Sequence, residues 1–498
     1  MLEFALASPD AARLGRLRGL GRLKLRRSRP ARCAIVWHDS VDDGLAKQAI
    51  ALAESGGTWQ LVQEAPQGTW PGQPPAILAE AAALEELGHP LPSPLLPLAA
   101  FEGKRRLLVL EPAHAAEAAP EEDGAVSVTL IDGTLRTLTE ERPIARAVLD
   151  GPTAAVRTVA LELAAAFDLA LPRASLAAEA RALARAQPPP PRRLGAPDLP
   201  PGLTVEAAFL HILAHLTEVL VHWAPLVIAL APSGAPEPVH QMRVALRRLR
   251  SAFSVFKPVL ACAEIDAVRA GLKRLAGLLG PARDWDVFLG GLGQEIGEVF
   301  AETPAMTALL EAARRRRAAH YGLLTAHLGG PEFRGLGIAL AFLPRTLPWR
   351  ADAPETRHAV LEAPAEHFAG RVLNRRRRRL LRDGAEMTTM PIEALHALRL
   401  DGKRLRYASE FFAPLFPGGH ARRFIRRLVD LQEVLGSLND GAVAAALMRE
   451  LGRARGSETD RGHAQGLVIG FAAARAAAAR ADGERAFDRW RRTQPFWA

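Results

Sequence analysis

A helical pattern that recurs at a fixed distance constrains this chain more than any other feature. In residues 239–253, VHQMRVALRRLRSAF, His240, Arg243, Arg247 and Arg250 fall at spacings of three, four and three, which puts them on one side of a helix. Met242, Leu246, Leu249 and Phe253 form an apolar stripe beside them, so one face can pack while the other shows cations to solvent or to an anion. Residues 395–407, LHALRLDGKRLRY, repeat the arrangement. His396, Arg399, Lys403, Arg404 and Arg406 match His240, Arg243, Arg247, Arg248 and Arg250 at an offset of 156. Leu279-Gly280 with Arg283-Asp284 returns as Leu435-Gly436 with Asn439-Asp440 at the same offset, so histidine to aspartate is 44 residues in both copies. Two spacings that agree in this way mark an internal duplication.

The cationic excess belongs to the part that carries the repeat. Residues 1–200 hold 22 Lys+Arg against 24 Asp+Glu, and the remainder holds 42 against 30. That balance predicts a polyanionic partner for the second part. At 498 residues, with 49% apolar and 24% charged residues, the chain has material for two or three folded domains. Cys33 and Cys262 are its two cysteines, which excludes a disulfide framework and fits a reducing compartment. No Cys/His spacing suggests zinc, and no cofactor is expected. The first residues lack a basic-then-apolar signal pattern. Residues 218–232 come nearest to a membrane span but are short and interrupted by His222 and two prolines, so no membrane association and a cytoplasmic location are expected.

Residues 1–185 read as an α+β domain rich in antiparallel strands. Strand-like runs are MLEFAL, ARCAIVWHD, TWQLVQEA, RRLLVLE and AVSVTLIDGTLRT, with Asp132-Gly133 as a hairpin signal. Helix-like pieces lie at 73–88 and 152–169. Residues 186–202, with four consecutive prolines, predict an extended linker. From 203 to 498 the pattern is all-α, in two repeats at about 203–345 and 357–498. Helices are predicted at 204–230, 237–257, 263–280, 282–300, 303–327, 357–382, 391–413, 420–437, 440–454 and 461–490, broken by Gly and Pro at such places as Gly280-Pro281, Pro344 and Pro414. The expected architecture is a helical bundle with internal two-fold pseudo-symmetry.

The double His-x-x-Arg helix with its Arg/Lys face, together with the Leu-Gly-x-x-Arg/Asn-Asp segment, closely resembles the CHAD family (conserved histidine α-helical domain) over about residues 203–498. The resemblance implies a pseudo-symmetric helical bundle that binds inorganic polyphosphate on a basic central surface, in some members at polyphosphate granules. It implies that His240, Arg243, Arg247, Arg250, His396, Arg399, Lys403 and Arg406 line the anion site. Residues 1–185 resemble a degenerate CYTH, or triphosphate-tunnel, domain. Of that family's opening Glu-x-Glu-x-Lys, the matching positions are Met1, Glu3 and Ala5. Its Tyr-x-Asp-Thr segment looks like Trp37-His38-Asp39-Ser40. The strand with Leu-Arg-x-Arg reads IALAES at 50–55, and the late Glu-x-Glu strand reads PIARAVLDG at 143–151. Without most of the carboxylates and cations, a tunnel fold without triphosphatase activity is expected.

Polyphosphate binding needs regularly spaced cations and no base readout. Arginine suits it, because the guanidinium is always charged and donates two parallel hydrogen bonds to phosphate. Arg243 to Arg250 span about 10 Å along a helix, enough for several phosphates. An imidazole among arginines should be mostly neutral until an anion arrives, so binding should strengthen towards pH 6. His240 and His396 are expected as pseudo-symmetric partners in one trough. Arg375 and Arg379, from the run Arg375 to Arg379, and Arg426, with Lys273 and Arg274, are added as lining. The rest of that run, and Arg314 to Arg317, read as solvated faces. Asp284 and Asp440 read as carboxylates near a helix start that hold a helix N-terminus or a neighbouring arginine, rather than as metal ligands. His215, His320 and His463 read as incidental.

Two other functions remain open at this level. One is a triphosphatase or polyphosphate hydrolase using residues 1–185, although no nucleophile-base spacing or Gly-rich phosphate loop is present. The other is nucleic-acid binding, against which stands the scarcity of aromatics: Tyr321 and Tyr407 are the two tyrosines. The oligomeric state is open.

Overall fold

The computed structural model describes residues 1–21, 23–64, 72–112, 124–187, 195–351, 353–387, 390–451 and 458–497. Residues 188–194 of the proline-rich linker expected at 186–202 lie outside these residues. The chain divides into two compact units. One comprises Met1–Leu194, Thr217–His222 and Leu328–Leu347, and the other Gly195–Leu216, Trp223–His327 and Pro348–Ala498.

The first unit is built on an antiparallel sheet curled into a half-barrel. Its strands are β1 (Leu2–Leu6), β2 (Gly19–Leu20), β3 (Leu23–Arg27), β4 (Ala31–Asp39), β5 (Ile50–Ser55), β6 (Thr58–Gln63), β7 (Ala76–Ala81), β8 (Leu96–Pro112), β9 (Val126–Arg136) and β10 (Glu141–Asp150). The order is β1-β10-β9-β8-β4-β5-β6-β7, with β3 and then β2 joined to β8. The long β8 pairs with β9 along one edge and with β4 and then β3 along the other. Helices α1 (Ser8–Leu14), α2 (Gly44–Lys47), α3 (Thr153–Ala166) and α4 (Leu176–Ala184) complete the N-terminal part.

Two expectations fail here for identifiable reasons. Asp132-Gly133 is not a turn: it lies inside β9, where Gly133 pairs with Gly103 of β8. A Cβ on Gly133 would sit 2.3 Å from the Glu102 carbonyl oxygen, so the glycines serve a close backbone approach. The β9–β10 turn falls four residues on, where the Thr137 hydroxyl accepts the Glu140 N–H at 2.9 Å. The helix expected at 73–88 is instead β7 followed by a short 3₁₀ turn at Leu84–Leu87. Pairing with β6, including a Gln60–Glu80 hydrogen bond of 2.9 Å, overrides the helix propensity of that Ala/Glu-rich stretch.

Period-two alternation gives the sheet two apolar faces. Leu2, Phe4, Val126, Val128, Leu130, Ala145, Ala147 and Leu149 pack with α1 and α3. On the opposite face Ala53, Phe101, Leu135 and Ile144 meet Ala180 and Leu183 of α4. Charges on that second face are already paired. Arg146 Nε lies 3.3 Å from Glu3, with both side chains under a tenth exposed. Glu179 of α4 binds Arg142 at 2.7 Å, and Glu64 takes two hydrogen bonds of 3.0 Å from Arg181. Asp39, in the Trp37–Ser40 segment, accepts the N–H groups of Ser40, Leu45 and Ala46 at 2.7, 2.8 and 3.1 Å, and so caps α2.

The helices that follow are α5 (Val205–Leu230), α6 (Glu237–Val255), α7 (Lys257–Leu260), α8 (Ala263–Gly290), α9 (Leu292–Val299), α10 (Pro304–Leu328), α11 (Pro331–Thr346), α12 (Glu355–Glu362), α13 (Ala365–Asp383), α14 (Ile392–Phe412), α15 (His420–Leu451) and α16 (Glu458–Arg491). The long helices α5, α6, α8 and α10 find counterparts in α13, α14, α15 and α16 at close to the repeat offset. α5 is long and apolar enough to cross a membrane, but 61% of that window is buried within the protein.

Several predicted breaks are absent. α8 runs through Gly280-Pro281, and α15 runs unbroken where an interruption was expected at 438–439. An interior proline costs about 3 kcal/mol. Leu275 and Leu279 before Pro281, and Ala282 and Trp285 after it, are fully buried, and this continuous apolar stripe outweighs the loss. Pro344 likewise lies inside α11, a helix the periodicity did not single out. α11 belongs to the first unit, where Ile338, Ala341 and Phe342 join the α3 side of the sheet core. Conversely, 357–382 is two helices, broken at Pro364.

Aromatic rings from both repeats meet in the core of the second unit. Phe209 of α5 contacts Phe253 of α6 at 5.5 Å between centroids and Phe256 at 5.3 Å. Phe256 stacks on Phe368 of α13 at 5.2 Å and touches Phe412 of α14 at 6.0 Å. This cluster brings α6 and α14 side by side.

Candidate anion-binding site

The apolar stripe of α6 beside its cations is buried as expected, with Met242, Leu246, Leu249 and Phe253 at 1% exposure or less. Packing that stripe inward turns Arg243, Arg247 and Arg250 into a groove of about 730 Å³. The opposite wall comes from the matching helix of the other repeat: Arg399, Lys403 and Arg404 of α14. α8 adds Arg269 and Lys273. Among the described residues, eight cationic side chains thus line the groove against one carboxylate, Asp266, which Arg269 holds at 3.1 Å.

Two of these cations stand out. Arg247 is half-buried, its Nε has no hydrogen-bond partner among the described residues, and burial pushes its pKa down. Lys403 is pushed down from 10.5 to about 7, first by burial and then by the charges of Arg399, Arg247, Arg243 and Arg406. Neither has an ion-pair partner among the described residues. A burial site that holds unneutralised cations is costly unless an anion completes it.

Asp284 is the acidic counterweight. It sits in the interior of α8, not near a helix start, so it holds no helix N-terminus. It accepts a hydrogen bond of 3.4 Å from Arg243 Nη2, the neighbouring-arginine role. Burial raises its pKa, while Arg243, Arg399, Lys403 and Arg283 act to lower it. The Leu-Gly motif has its reason here: a Cβ on Gly280 would lie 3.1 Å from Arg243 Nη1, so the glycine lets the guanidinium cross α8. The second copy differs, since a Cβ on Gly436 would meet nothing within 4 Å. The side chain of Asp440 is outside the described residues.

Of the residues expected in the trough, Arg243, Arg247, Arg250, Lys273, Arg399 and Lys403 line it. His240 and His396 are not part of the lining. His240 is half-buried beside it, its pKa lowered by burial and then by Arg283, Arg247 and Arg243, and His396 is exposed at the start of α14. Arg274, Arg375 and Arg426 are exposed outside the lining. Arg379 is committed to Asp401 at 2.9 Å. Others in that run reach carbonyl oxygens: Arg376 binds that of Arg404, and Arg377 that of Arg491.

The repeat's symmetry breaks at the arginine pairs. Arg248 and Arg406 are not in the groove: they share Glu410, at 3.1 and 3.5 Å, and tie α6 to α14. Their sequence equivalents, Arg404 and Arg250, line it. Arg269 and Arg404 were missed, although Arg269 precedes Lys273 by one helical turn and so shares its face.

Residues 211–449 match the CHAD domain family. This part of the chain is a CHAD domain. Among solved structures, the chain is similar to the CHAD domain from the plant Ricinus communis, with 28% identity and a TM-score of 0.52, covering 61% of this chain and 98% of that one. It is also similar to PptA from Streptomyces chartreusis, with 17% identity and a TM-score of 0.42, covering 55% of this chain and 98% of that one. No curated protein matches the chain. Among the described residues, no group of three His, Cys, Asp or Glu side chains could hold a metal ion.

The glycine contact in the CHAD domain leads to a prediction. Gly280→Ala removes a poor helix former, which favours the helix by up to about 1 kcal/mol. It also crowds Arg243. The expected outcome is an unchanged or higher Tm with about threefold weaker anion binding. Unchanged affinity would show that Gly280 does not position Arg243.

Proposed function

We propose that the CHAD domain binds inorganic polyphosphate in the groove between α6 and α14, without turning it over, and that this affinity holds the protein at polyphosphate granules. The family supports a polyphosphate-related role in general. The observation that carries the finer reading is Arg247 with Lys403: two cations from opposite repeats, in one groove, neither with an ion pair within 4 Å among the described residues. A phosphate chain supplies regularly spaced anions with no bases to recognise, and guanidinium groups match phosphate oxygens in bidentate fashion. The aromatic residues of the lining, Phe253 and Tyr407, are buried, so they offer no stacking platform for nucleic-acid bases.

Titration with long-chain polyphosphate tests this directly. Affinity should fall steeply with salt, as counterions are released on binding. Arg243→Glu with Arg399→Glu should abolish binding, whereas full binding by that double variant contradicts the groove.

Lys403 sets the pH dependence. In the free protein it titrates near 7, among Arg243 and Arg247 of α6, Arg399 and Arg406 of α14, and Asp284 of α8. A bound polyanion raises its pKa, so above pH 7 binding must bring a proton with it. Affinity should therefore drop as pH rises, by about tenfold from pH 6.5 to 8.5. His240, whose pKa is lowered, adds to the same trend below pH 7. Lys403→Arg, always charged, should bind and lose most of the dependence above pH 7. A flat profile for the unmodified protein contradicts this assignment.

For the N-terminal unit, we read a tunnel-type sheet without triphosphatase chemistry. Glu3, the surviving carboxylate of the opening motif, is engaged by Arg146, and α4 packs apolar residues on that face. Incubation with tripolyphosphate and magnesium or manganese should release no phosphate. Clear turnover would overturn the reading in favour of a hydrolase.

A further inference from the structure

A second cavity, of about 610 Å³, opens between the start of α15 and the end of α16. α15 contributes His420, Arg423 and Arg427, α16 contributes Arg485 and Arg489, and Arg492 follows it. Among the described residues, Asp488 is the one carboxylate in the lining, and it is held by Arg491 at 2.8 Å and Arg492 at 4.0 Å. None of these residues lines the groove.

The internal repeat supplies a control for what these cations mean. α8 is the first-repeat counterpart of α15. Its first turn carries Glu264 and Asp266, the charges that a helix N-terminus favours. The first turn of α15 has no acidic residue and opens with His420, Arg422 and Arg423. At the 156-residue offset, His420, Arg423 and Arg427 correspond to Glu264, Ala267 and Gly271. Cations at a helix N-terminus oppose the helix dipole and the exposed N–H groups, so helix stability does not account for His420, Arg422 and Arg423 in the first turn of α15. A bound anion relieves both.

The two helix ends beside the cavity are packed against each other. Phe424, next to Arg423, packs against Trp490, next to Arg489, at 6.0 Å between centroids, and against Trp497 at 5.0 Å. These rings are buried, which fixes the two helix ends and leaves no ring free to stack on a base. Existing contacts of the arginines are weak competitors. Arg427 meets Asp430 at 3.5 Å and Arg485 meets Asp482, both on the surface, where such pairs contribute about 0–1 kcal/mol. Arg423 and Arg489 have no ion pair among the described residues.

We propose that this cavity is a second anion site, confined to the second repeat, which takes a short inorganic oligophosphate. The site stands independently of the groove.

Isothermal titration of the full chain with tripolyphosphate at low salt tests it. Two sites are expected. Arg243→Glu with Arg399→Glu should leave one, and Arg423→Gln with Arg489→Gln should leave the other. Arg423→Lys with Arg489→Lys, which keeps the charge and the fold, should weaken the second site about tenfold by removing bidentate contacts. A groove variant that binds no tripolyphosphate overturns the proposal, and so does a titration unchanged by Arg423→Gln with Arg489→Gln. If the groove variant titrates like the unmodified protein while the Arg423/Arg489 variant loses all binding, the cavity stands and the groove reading fails. Equal displacement by an oligonucleotide of matched charge overturns the choice of ligand.

Discussion

The groove exists because α6 and α14 are held together against the repulsion of their own charges. Like unit charges about 7 Å apart would repel by roughly 2 kcal/mol at an effective dielectric of about 20, and cations of both helices line the same groove. The opposing force is burial. Phe209, Phe253, Phe256 and Phe412 are at most 1% exposed, and a buried ring of this size contributes about 1.5–3 kcal/mol. Glu410 adds a polar tie by taking Arg248 from one repeat and Arg406 from the other. The residual tension appears at Lys403, which the packing holds close to losing its proton at neutral pH. An anion that binds there relieves strain the fold has already accepted.

Much of this was legible in the sequence because the duplication encodes it twice. The offset of 156 identified the two basic helices and their pairing, and the apolar stripe of α6 identified which face turns inward. What the pattern could not specify was how each arginine would be used. Arg248 and Arg406 look like their partners Arg404 and Arg250, yet the position of one glutamate, Glu410, withdraws them from the groove. Equivalence in sequence is not equivalence in space once a repeat has drifted. The histidines show the same limit: His240 lies next to the arginines and His396 is exposed, but neither lines the groove.

Local punctuation misled where tertiary packing was stronger. Gly280-Pro281 suggests a helix end, but burial on both sides carries α8 through it. Asp132-Gly133 suggests a turn, but the glycine is there for the approach of β8. In the N-terminal unit, the expected strand at 50–55 and the strand spanning 143–150 are present, and Glu3 has acquired a partner in Arg146. The second face of that sheet is filled by paired charges and by α4.

The most direct measurement is a crystal structure of the full chain grown with a short polyphosphate. The account predicts phosphate density running from Arg243 and Arg247 across to Arg399 and Lys403, with both helices contributing. Phosphate bound elsewhere on the protein, with the α6–α14 groove holding only water, would contradict it.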